Sequence, residues 1–289
     1  MTLYAFESRW EPAPRPTPPG TTLLAIGDVH GHLEHLDALL GLLRPEIAQA
    51  RAAGQDCELV LIGDYVDRGP ANLGVLRRVL DLERGSLGIP VTALRGNHDH
   101  YLIDFLLAPE PDPEAIEAWC GNGGGATLAE LGLSEKDLLT RDPMVLAARG
   151  RDAAGPEILG LLARLELHRP IGEYLFVHAG VHPDRPLAEH GLRELLWLRE
   201  PFLSTRKWAH PFAVVHGHTI RGPEVCPHRI AIDSGAYRTG VLTAVQLVDD
   251  RLRFLCIASD PKLKAFRRLP GLEQPRRFGE PRPLLPKAG

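Results

Sequence analysis

The chain has 289 residues, of which 44% are hydrophobic, and its formal net charge at pH 7 is −4. This length suits one large domain, or one domain with an insertion, and the hydrophobic content is ample for a core. The sequence shows no basic footprint, which disfavours extended nucleic-acid binding, and no apolar run is long enough to span a bilayer.

The amino-terminal sequence and the cysteines indicate the expected cellular compartment. The sequence does not open with a charged segment followed by an apolar core, so no secretory signal is expected. Four cysteines are widely scattered and form no CxxC pair. We therefore expect reduced thiols in a cytoplasmic protein, with any metal held by oxygen and nitrogen. The cysteines are Cys57, Cys120, Cys226 and Cys256.

The first predicted strand ends in two polar residues. Residues 1–20 finish in a proline-dense stretch, which predicts an extended, loosely held arm and not a strand. The apolar run Thr21–Ile26 then predicts a buried strand that stops at Gly27. Asp28 and His30 should both emerge from the carboxyl end of this strand. A carboxylate beside an imidazole suits a divalent metal, and a capping Asp with a solvent-exposed His is the alternative.

The same unit of strand, glycine and polar tip recurs twice, which predicts a layered α/β sheet. The next strand leads into GDYVDRG at residues 63–69, and a third strand leads into Arg95 and the motif GNHD. Apolar residues at helical spacing predict the intervening helices, and Pro45 and Gly54 should bracket a separate short helical piece. The predicted elements are a helix over 32–43, a strand over 58–62, a helix over 72–83 and a strand over 90–94.

Residues from about 100 to 170 have a helical pattern without metal-ligand spacing, and we interpret them as an insertion that could wall the site. The run GNGGG at 121–125 follows no strand and lacks the Lys-Ser/Thr of a phosphate loop, so it predicts a flexible turn before a helix. The later predicted elements are strands over 173–177, 213–215, 229–233, 241–248 and 252–258, a helix from 192 towards Pro201, a turn at 249–250 and an irregular tail.

Six polar side chains follow apolar runs, each with a glycine within two residues. Two carboxylates, one amide and three imidazoles can hold two divalent ions if one carboxylate bridges them. Paired metals about 3.5–4 Å apart suit phosphoryl chemistry, and water between them becomes hydroxide near neutral pH. The six candidate ligands are Asp28, His30, Asp64, Asn97, His178 and His218.

Other residues near these tips suit the remaining chemistry. Arg68, Arg95 and Arg199 accompany the ligands, and guanidinium groups match phosphate oxygens. His98 is the expected general acid for the leaving group, and Asp67 could orient it and raise its pKa.

The motifs GDVHG, GDYVDRG, RGNHD, VHAG and HGHT, in that order over residues 23–240, resemble those of the calcineurin-like metallophosphoesterase superfamily. They are most similar to its phosphoprotein phosphatase branch, including bacterial protein phosphatases and diadenosine tetraphosphatases. The resemblance implies an α/β fold, a four-layer αββα sandwich with the helical insertion, over residues 21–260, with an irregular tail over 261–289.

The resemblance also implies roles for the candidate residues. Asp64 would bridge two metals, with Asp28 and His30 on the first and with Asn97, His178 and His218 on the second. His98 and Asp67 match the acid and its partner. Arg68, Arg95 and, less closely, Arg199 match phosphate-binding arginines.

The sequence departs from the family pattern at two places. Asp99 stands where many eukaryotic relatives have Glu, and Ile220 stands where more distant members have a further metal-binding His. The first metal should therefore keep an open, water-filled position. We favour His218 over His216 as the ligand in HGHT. Trp197 is expected in the core or at the rim, and Tyr237 outside the pocket.

The favoured function is a phosphomonoesterase acting on phosphoserine or phosphothreonine in proteins. The alternative is a symmetrical dinucleoside tetraphosphate hydrolase, which needs base-stacking walls and is weakly disfavoured by an aromatic content of 6%. A catalytically silent domain is third, because an idle site should lose carboxylates that are costly to bury. The expected cofactors are two divalent ions, Mn first, with Fe or Zn admitted by the same ligands. No nucleic-acid or membrane partner is expected.

Overall fold

The computed structural model describes residues 2–134, 136–137, 142–261 and 276–280. The strands are β1 Tyr4–Glu7, β2 Glu11–Pro12, β3 Thr21–Ile26, β4 Asp56–Leu61, β5 Val91–Ala93, β6 His168–Ile171, β7 Tyr174–Val177, β8 Ala213–His216, β9 Glu224–Cys226, β10 Arg229–Ala231, β11 Val241–Val248, β12 Arg251–Ala258 and β13 Arg276–Arg277. The helices are α1 Leu33–Ala52, α2 Asn72–Glu83, α3 Asn97–Leu107, α4 Pro113–Trp119, α5 Gly125–Glu130, α6 Pro143–Arg164, α7 Leu192–Trp197 and α8 Ala236–Thr239.

These strands form two sheets. The first has the order β13-β1-β12-β11-β3-β4-β5, with β2 also paired to β12, and the second has the order β6-β7-β8-β10-β9. Strands β3, β4 and β5 are parallel, and so are β7, β8 and β10. In each sheet the carboxyl ends of the parallel strands therefore lie at one edge, where the loops that follow them can meet.

Successive side chains of a strand point to opposite faces of the sheet, so each sheet packs against a different layer on each face. In β3, Leu23 packs between the two sheets, whereas Leu24 packs against the helices outside the first sheet. In β7, Phe176 faces the first sheet, whereas Leu175 packs beneath the segment that contains α7. Each fully buried Leu or Phe stabilises this arrangement by about 1.5–3 kcal/mol. The four-layer αββα sandwich is confirmed.

Helix α1 corrects one sequence prediction. It runs without interruption from Leu33 to Ala52 and contains Pro45, which was expected to begin a separate helix. Pro45 removes the N–H that would bond to the Gly41 carbonyl. The helix continues because Leu43 and Ile47, on either side of Pro45, both lie buried in the core.

The amino-terminal arm corrects a second sequence prediction. Residues 4–7 form β1 and pair with β12, with Phe6 opposite Cys256, while β2 pairs with the start of the same strand. Ala5 and Phe6 are buried, so the arm covers the edge of β12 and is not loosely held there. Proline density could not predict this, because the partner strand lies at the far end of the sequence. The predicted irregular tail lies mostly outside the described residues, and Arg276–Arg277 form β13 on β1.

The remaining differences are local. Strand β6, which precedes β7 in a hairpin through Gly172, was missed. Helix α7 ends at Trp197, earlier than its apolar pattern predicted. The described residues between 97 and 164, which cover most of the predicted insertion, are largely helical. The four cysteines are free thiols. Within the described ranges, none of the helices is both long and apolar enough to cross a membrane.

Candidate metal centre and phosphate cleft

The loops that follow β3 and β4 are joined by main-chain hydrogen bonds. The N–H groups of Val29 and His30 both donate to the Asp64 carbonyl, at 3.0 and 2.8 Å. His30, Asp64 and His218 have φ values of 45°, 54° and 61°. A left-handed backbone costs a non-glycine residue about 1–2 kcal/mol. Such strain persists where the surroundings over-determine it, which is typical of functional sites.

Asp64 lies at the centre of the candidate ligands. Its Oδ2 is 3.4 Å from Nε2 of His30, and its Oδ1 is 3.4 Å from Nε2 of His178. Two groups of possible ligand atoms share it, one with His30 and His98 and one with His178 and His218. The atoms of each group lie within 4.8 Å of one another. A carboxylate common to both groups is suited to bridging two ions.

Main-chain carbonyls orient the imidazoles. Nδ1 of His30 donates to the Val66 carbonyl at 2.8 Å, and Nδ1 of His178 donates to the Ile62 carbonyl at 2.9 Å. Each ring therefore presents Nε2 with its lone pair towards Asp64. Burial lowers the pKa of His30 to about 3 and also lowers that of His178. Both rings are neutral near pH 7, as metal ligation requires.

Several lone pairs meet in this site without a proton between them. Nε2 of His178 faces Oδ1 of Asn97 at 3.0 Å, although both atoms act as acceptors in this arrangement. Oδ1 of Asp28 and Nε2 of His218 are buried and have no hydrogen-bond partner. Burial raises the pKa of Asp28 well above its usual range, and Asp233 and Asp64 raise it further. A cation relieves each of these costs, so the donor set fits divalent metals.

Asp67 and His98 form a hydrogen-bonded pair beside the candidate metal ligands. Nδ1 of His98 donates to Oδ2 of Asp67 at 2.6 Å. Burial alone would lower the pKa of His98, but the charge of Asp64 and the hydrogen bond to Asp67 outweigh burial and raise it. The ring is thus suited to holding a proton near neutral pH, with Nε2 as the nitrogen left to deliver it.

Two residues that hold Asp67 were missed in the sequence. Nε1 of Trp119 donates to Oδ2 of Asp67 at 2.7 Å, and Oγ1 of Thr127 donates to Oδ1 at 2.6 Å. Both lie in the predicted insertion, on either side of the run GNGGG. Trp and Thr have no spacing that indicates such a role, and only that glycine run marks their neighbourhood.

The arginines occupy different places. Arg68 donates from Nη1 to Nε2 of His30 at 2.7 Å, and its guanidinium lies 4.1 Å from the centre of the Tyr237 ring. Arg199 lines the same cleft, which has a volume of about 270 Å³. Arg95 is half-buried and is not among the residues that line the cleft. Those residues are Asp64, Arg68, Asn97, His98, Tyr101, Asn122, Trp197, Arg199 and His218.

The ambiguous residues are placed as follows. His216 is buried against Phe202, with ring centroids 5.0 Å apart, and belongs to neither ligand group, which favours His218 as predicted. Asp99 accepts hydrogen bonds from the N–H groups of Asp64, Tyr65 and Gly96. Trp197 is at the cleft. Tyr237, which was expected outside the pocket, is not among the residues that line the cleft, and its ring centroid lies 5.2 Å from that of His30.

Glycines next to the ligands allow the loops to approach closely. A Cβ atom on Gly217 would lie 2.0 Å from Oδ1 of Asp28, and one on Gly96 would lie 2.1 Å from Oδ1 of Asp64. Any side chain at either position would displace a carboxylate of the centre.

Comparison with known proteins gives a consistent family assignment. A family model described as calcineurin-like phosphoesterase matches residues 21–239. The asymmetrical bis(5'-nucleosyl)-tetraphosphatase PrpE of Halalkalibacterium halodurans is 26% identical over 267 residues, which is 85% of this chain and 98% of that protein. A symmetrical bis(5'-nucleosyl)-tetraphosphatase of Nitrosospira multiformis is 32% identical over 162 residues, which is 56% of this chain and 44% of that protein.

Two solved structures share the fold. One, provisionally described as a diadenosine tetraphosphatase, superposes with a TM-score of 0.52 and 24% identity, over 80% of this chain and 90% of that one. The cold-active protein-tyrosine phosphatase of a Shewanella species superposes with a TM-score of 0.50 and 18% identity, over 83% and 81% of the two chains.

Proposed function

This chain belongs to the calcineurin-like phosphoesterase family, and from that premise we propose that it hydrolyses a dinucleoside tetraphosphate at a centre of two divalent metal ions. The observation that carries the proposal is the combination of a shared carboxylate, Asp64, with aromatic side chains that line the same cleft. Phosphoester hydrolysis follows from the family, and the dinucleotide is our own inference.

The residues divide between two ions. Asp28, His30 and Asp64 would hold one ion, and Asp64, Asn97, His178 and His218 would hold the other. Bound ions would supply positive charge for the phosphate oxygens and would lower the pKa of water at the centre. Oxygen and nitrogen donors suit Mn²⁺, which we propose, and also admit Fe or Zn.

The protein's own groups complete the chemistry. Arg68 and Arg199 line the cleft and would orient the phosphate chain by charge-assisted hydrogen bonds. His98, held by Asp67, would give its Nε2 proton to the leaving oxygen. Arg95 lies off the cleft lining, so we propose no direct phosphate contact for it.

The aromatic residues favour a nucleotide. Tyr101 and Trp197 line the cleft together, with ring centroids 6.0 Å apart. Stacking of a base on such a ring contributes about 1–3 kcal/mol. The overall aromatic content of 6% pointed the other way, because composition does not reveal where these side chains gather. A relative matched over 98% of its length carries the name of an asymmetrical tetraphosphatase, so we propose asymmetrical cleavage.

A phosphoserine or phosphothreonine protein phosphatase is the second candidate. A cleft of about 270 Å³ is large enough for one phosphate monoester beside His98 and Arg199, without any nucleobase. The two candidates use the same centre and differ only in what lies beyond the reacting phosphate.

Substrate competition tests the proposal. Purified protein with Mn²⁺ is given diadenosine tetraphosphate, a phosphoserine peptide or p-nitrophenyl phosphate, and products are separated chromatographically. We expect the highest kcat/KM with the dinucleotide, and ATP with AMP as products. A higher kcat/KM with the phosphopeptide would overturn the substrate assignment, and ADP alone would overturn the cleavage position.

A matched pair of variants tests the aromatic contribution. Trp197→Ala should raise KM for diadenosine tetraphosphate about 10-fold and leave KM for p-nitrophenyl phosphate unchanged. Trp10 lies far from the cleft, under the guanidinium of Arg253, so Trp10→Ala is the control. Equal effects of Trp197→Ala on both substrates would contradict a base-stacking role.

A further inference from the structure

We propose that Trp119 and Thr127 of the helical insertion are positioning residues, which hold the Asp67 carboxylate, and through it the His98 ring, in the orientation for proton delivery to the leaving group. The inference rests on the proposed role of His98 as the general acid. It assigns to the insertion a part in the chemistry itself, beyond walling the cleft.

The Asp67 carboxylate is fully buried and accepts a hydrogen bond from each of three side chains. Oδ2 accepts from Nδ1 of His98 at 2.6 Å and from Nε1 of Trp119 at 2.7 Å. Oδ1 accepts from Oγ1 of Thr127 at 2.6 Å. Only the first of these donors can take part in proton transfer. The donors from Trp119 and Thr127 hold the carboxylate in place.

Thr127 fixes the plane of this carboxylate. If Asp67 were held through Oδ2 alone, its carboxylate could rotate about the Cβ–Cγ bond, and a bond to the second oxygen prevents that rotation. The same hydroxyl also accepts from the Asp67 N–H at 3.0 Å. One Thr side chain therefore ties both the backbone and the side chain of Asp67, at a residue whose φ is 74°.

The insertion is built to bring these donors close. A Cβ atom on Gly124 would lie 2.6 Å from Nε1 of Trp119, so only glycine permits this approach. Helix α5, which carries Thr127, is anchored on α2, because the Glu130 carboxylate accepts from the N–H groups of Asn72 and Leu73. These contacts therefore hold the donors of Trp119 and Thr127 in position next to Asp67.

The step that depends on this orientation is leaving-group departure. A water oxygen forms a bond to phosphorus while the bond from phosphorus to the leaving oxygen breaks. The leaving oxygen keeps the electron pair and takes the Nε2 proton of His98, and the proton lost by the attacking water later restores His98 through solvent. Asp67 remains hydrogen-bonded to Nδ1 throughout, so a rotated carboxylate would turn Nε2 away from the leaving oxygen.

Leaving-group dependence tests the proposal, because a good leaving group needs no acid. Thr127→Val keeps the shape of the side chain and removes its hydroxyl. We expect it to lower kcat about 10-fold on phenyl phosphate but only about 2-fold on p-nitrophenyl phosphate, with KM and metal content unchanged. Thr127→Ser, which restores the hydroxyl, should recover most of the kcat on phenyl phosphate.

Thr92→Val is the matched control, since buried Thr92 also donates to a carboxylate, that of Glu58 at 3.2 Å, away from the cleft. If Thr127→Val only disturbed the structure, it would lower kcat on both aryl phosphates equally. Any effect of Thr92→Val on kcat should likewise be equal for the two substrates. Equal loss with both leaving groups in Thr127→Val, or no loss, overturns the proposal. A wild-type protein that hydrolyses neither diadenosine tetraphosphate nor either aryl phosphate with Mn²⁺ would instead contradict the proposed function.

A second measurement needs no turnover. The proton between His98 Nδ1 and Asp67 Oδ2 should give a low-field NMR resonance that disappears in His98→Asn. We expect this resonance to move upfield in Thr127→Val and in Trp119→Phe, and to persist in Thr127→Ser. An unchanged resonance in either of the first two variants, when circular dichroism shows it folded, overturns the proposal.

Discussion

The strand-tip loops and the helical insertion contribute to one centre in different ways. The loops after β4 orient His30 and His178 with main-chain carbonyls, those of Val66 and Ile62. The insertion orients Asp67 with the side chains of Trp119 and Thr127, which lie more than fifty residues further along the chain. Both arrangements join positions distant in sequence, but the first uses main-chain carbonyls as acceptors and the second uses side-chain donors.

The two regions also differ in how their polar atoms are satisfied. At the strand tips, buried Asp28 Oδ1 and His218 Nε2 lack hydrogen-bond partners. Around Asp67, both carboxylate oxygens accept hydrogen bonds. Buried lone pairs without a donor, as on Asp28 and His218, suit a site that binds cations. A carboxylate with both oxygens hydrogen-bonded, as in Asp67, suits a group whose orientation must stay fixed. We therefore expect substitutions in the first region to affect metal binding, and those in the second to affect turnover.

The largest effect is expected for Asp64→Ala. Removing the carboxylate shared by both ligand groups should lower kcat by at least about 10³-fold and reduce the bound metal below two ions per chain, as measured by elemental analysis. Asp249→Ala is the control, because Asp249 has a similar φ of 52° in an exposed turn. Full metal content and activity in Asp64→Ala would remove the basis for a shared bridging ligand.

His98→Asn should separate turnover from metal content. We expect kcat to fall about 10²–10³-fold, because the leaving group loses its proton donor, while two ions remain bound. His100→Asn, on the same helix α3, should leave kcat near that of the wild type. If His98→Asn lost its metal together with its activity, His98 would be better interpreted as a metal ligand than as the general acid.

Gly124→Ala should affect the insertion alone. The new methyl group would lie 2.6 Å from Nε1 of Trp119 and would push the indole away from Asp67. We expect a loss of about 1–3 kcal/mol in the free energy of unfolding and a several-fold lower kcat, without loss of metal. Gly121→Ala introduces the same methyl group three residues earlier, where no atom lies within 4 Å, and should change neither quantity. Equal behaviour of the two variants would mean that the Trp119 contact is dispensable.

Glu130→Gln should have the smallest effect. Its carboxylate accepts hydrogen bonds at the first turn of α2, where negative charge is favourable, so its loss should cost about 1 kcal/mol in denaturant unfolding. Turnover should not change, because the support of α5 is weakened without being removed. Glu114→Gln, on the exposed first turn of α4, is the control. A large fall in kcat would indicate that α5 moves readily and that the second region is less rigid than the contacts suggest.

The strand-tip residues were predictable from sequence because two signals coincide there. An apolar run ended by glycine predicts where a strand stops, and the residue types Asp, His and Asn predict ligand chemistry. Asp28, His30, Asp64 and His218 accordingly lie near one another in the structure, and their roles as ligands stay predictions for the experiments above. Arg95 had the same sequence signal but lies off the cleft lining, since position beside a ligand does not fix the direction of a long side chain.

The rest could not be predicted because it depends on contacts distant in sequence. Trp119 and Thr127 resemble any buried aromatic and hydroxyl residues until Asp67 is seen beside them. Asp233 accepts from the Gly235 N–H at 2.7 Å and is buried next to Asp28, a contact that its position in the sequence does not indicate. The strand β1 and the uninterrupted α1 were missed for the same reason, because tertiary packing outweighs the local effect of proline.

The position of β3 between β4 and β11 has a consequence for synthesis. Ala25 pairs with Val60 on one side and with Val245 on the other. A nascent chain leaving the ribosome can join β3 to β4 early, but the opposite edge of β3 stays uncovered until residues 241–248 have been translated. Non-local pairing of this kind is slow and leaves strands open to aggregation. We expect the growing polypeptide to depend on chaperones during most of its translation.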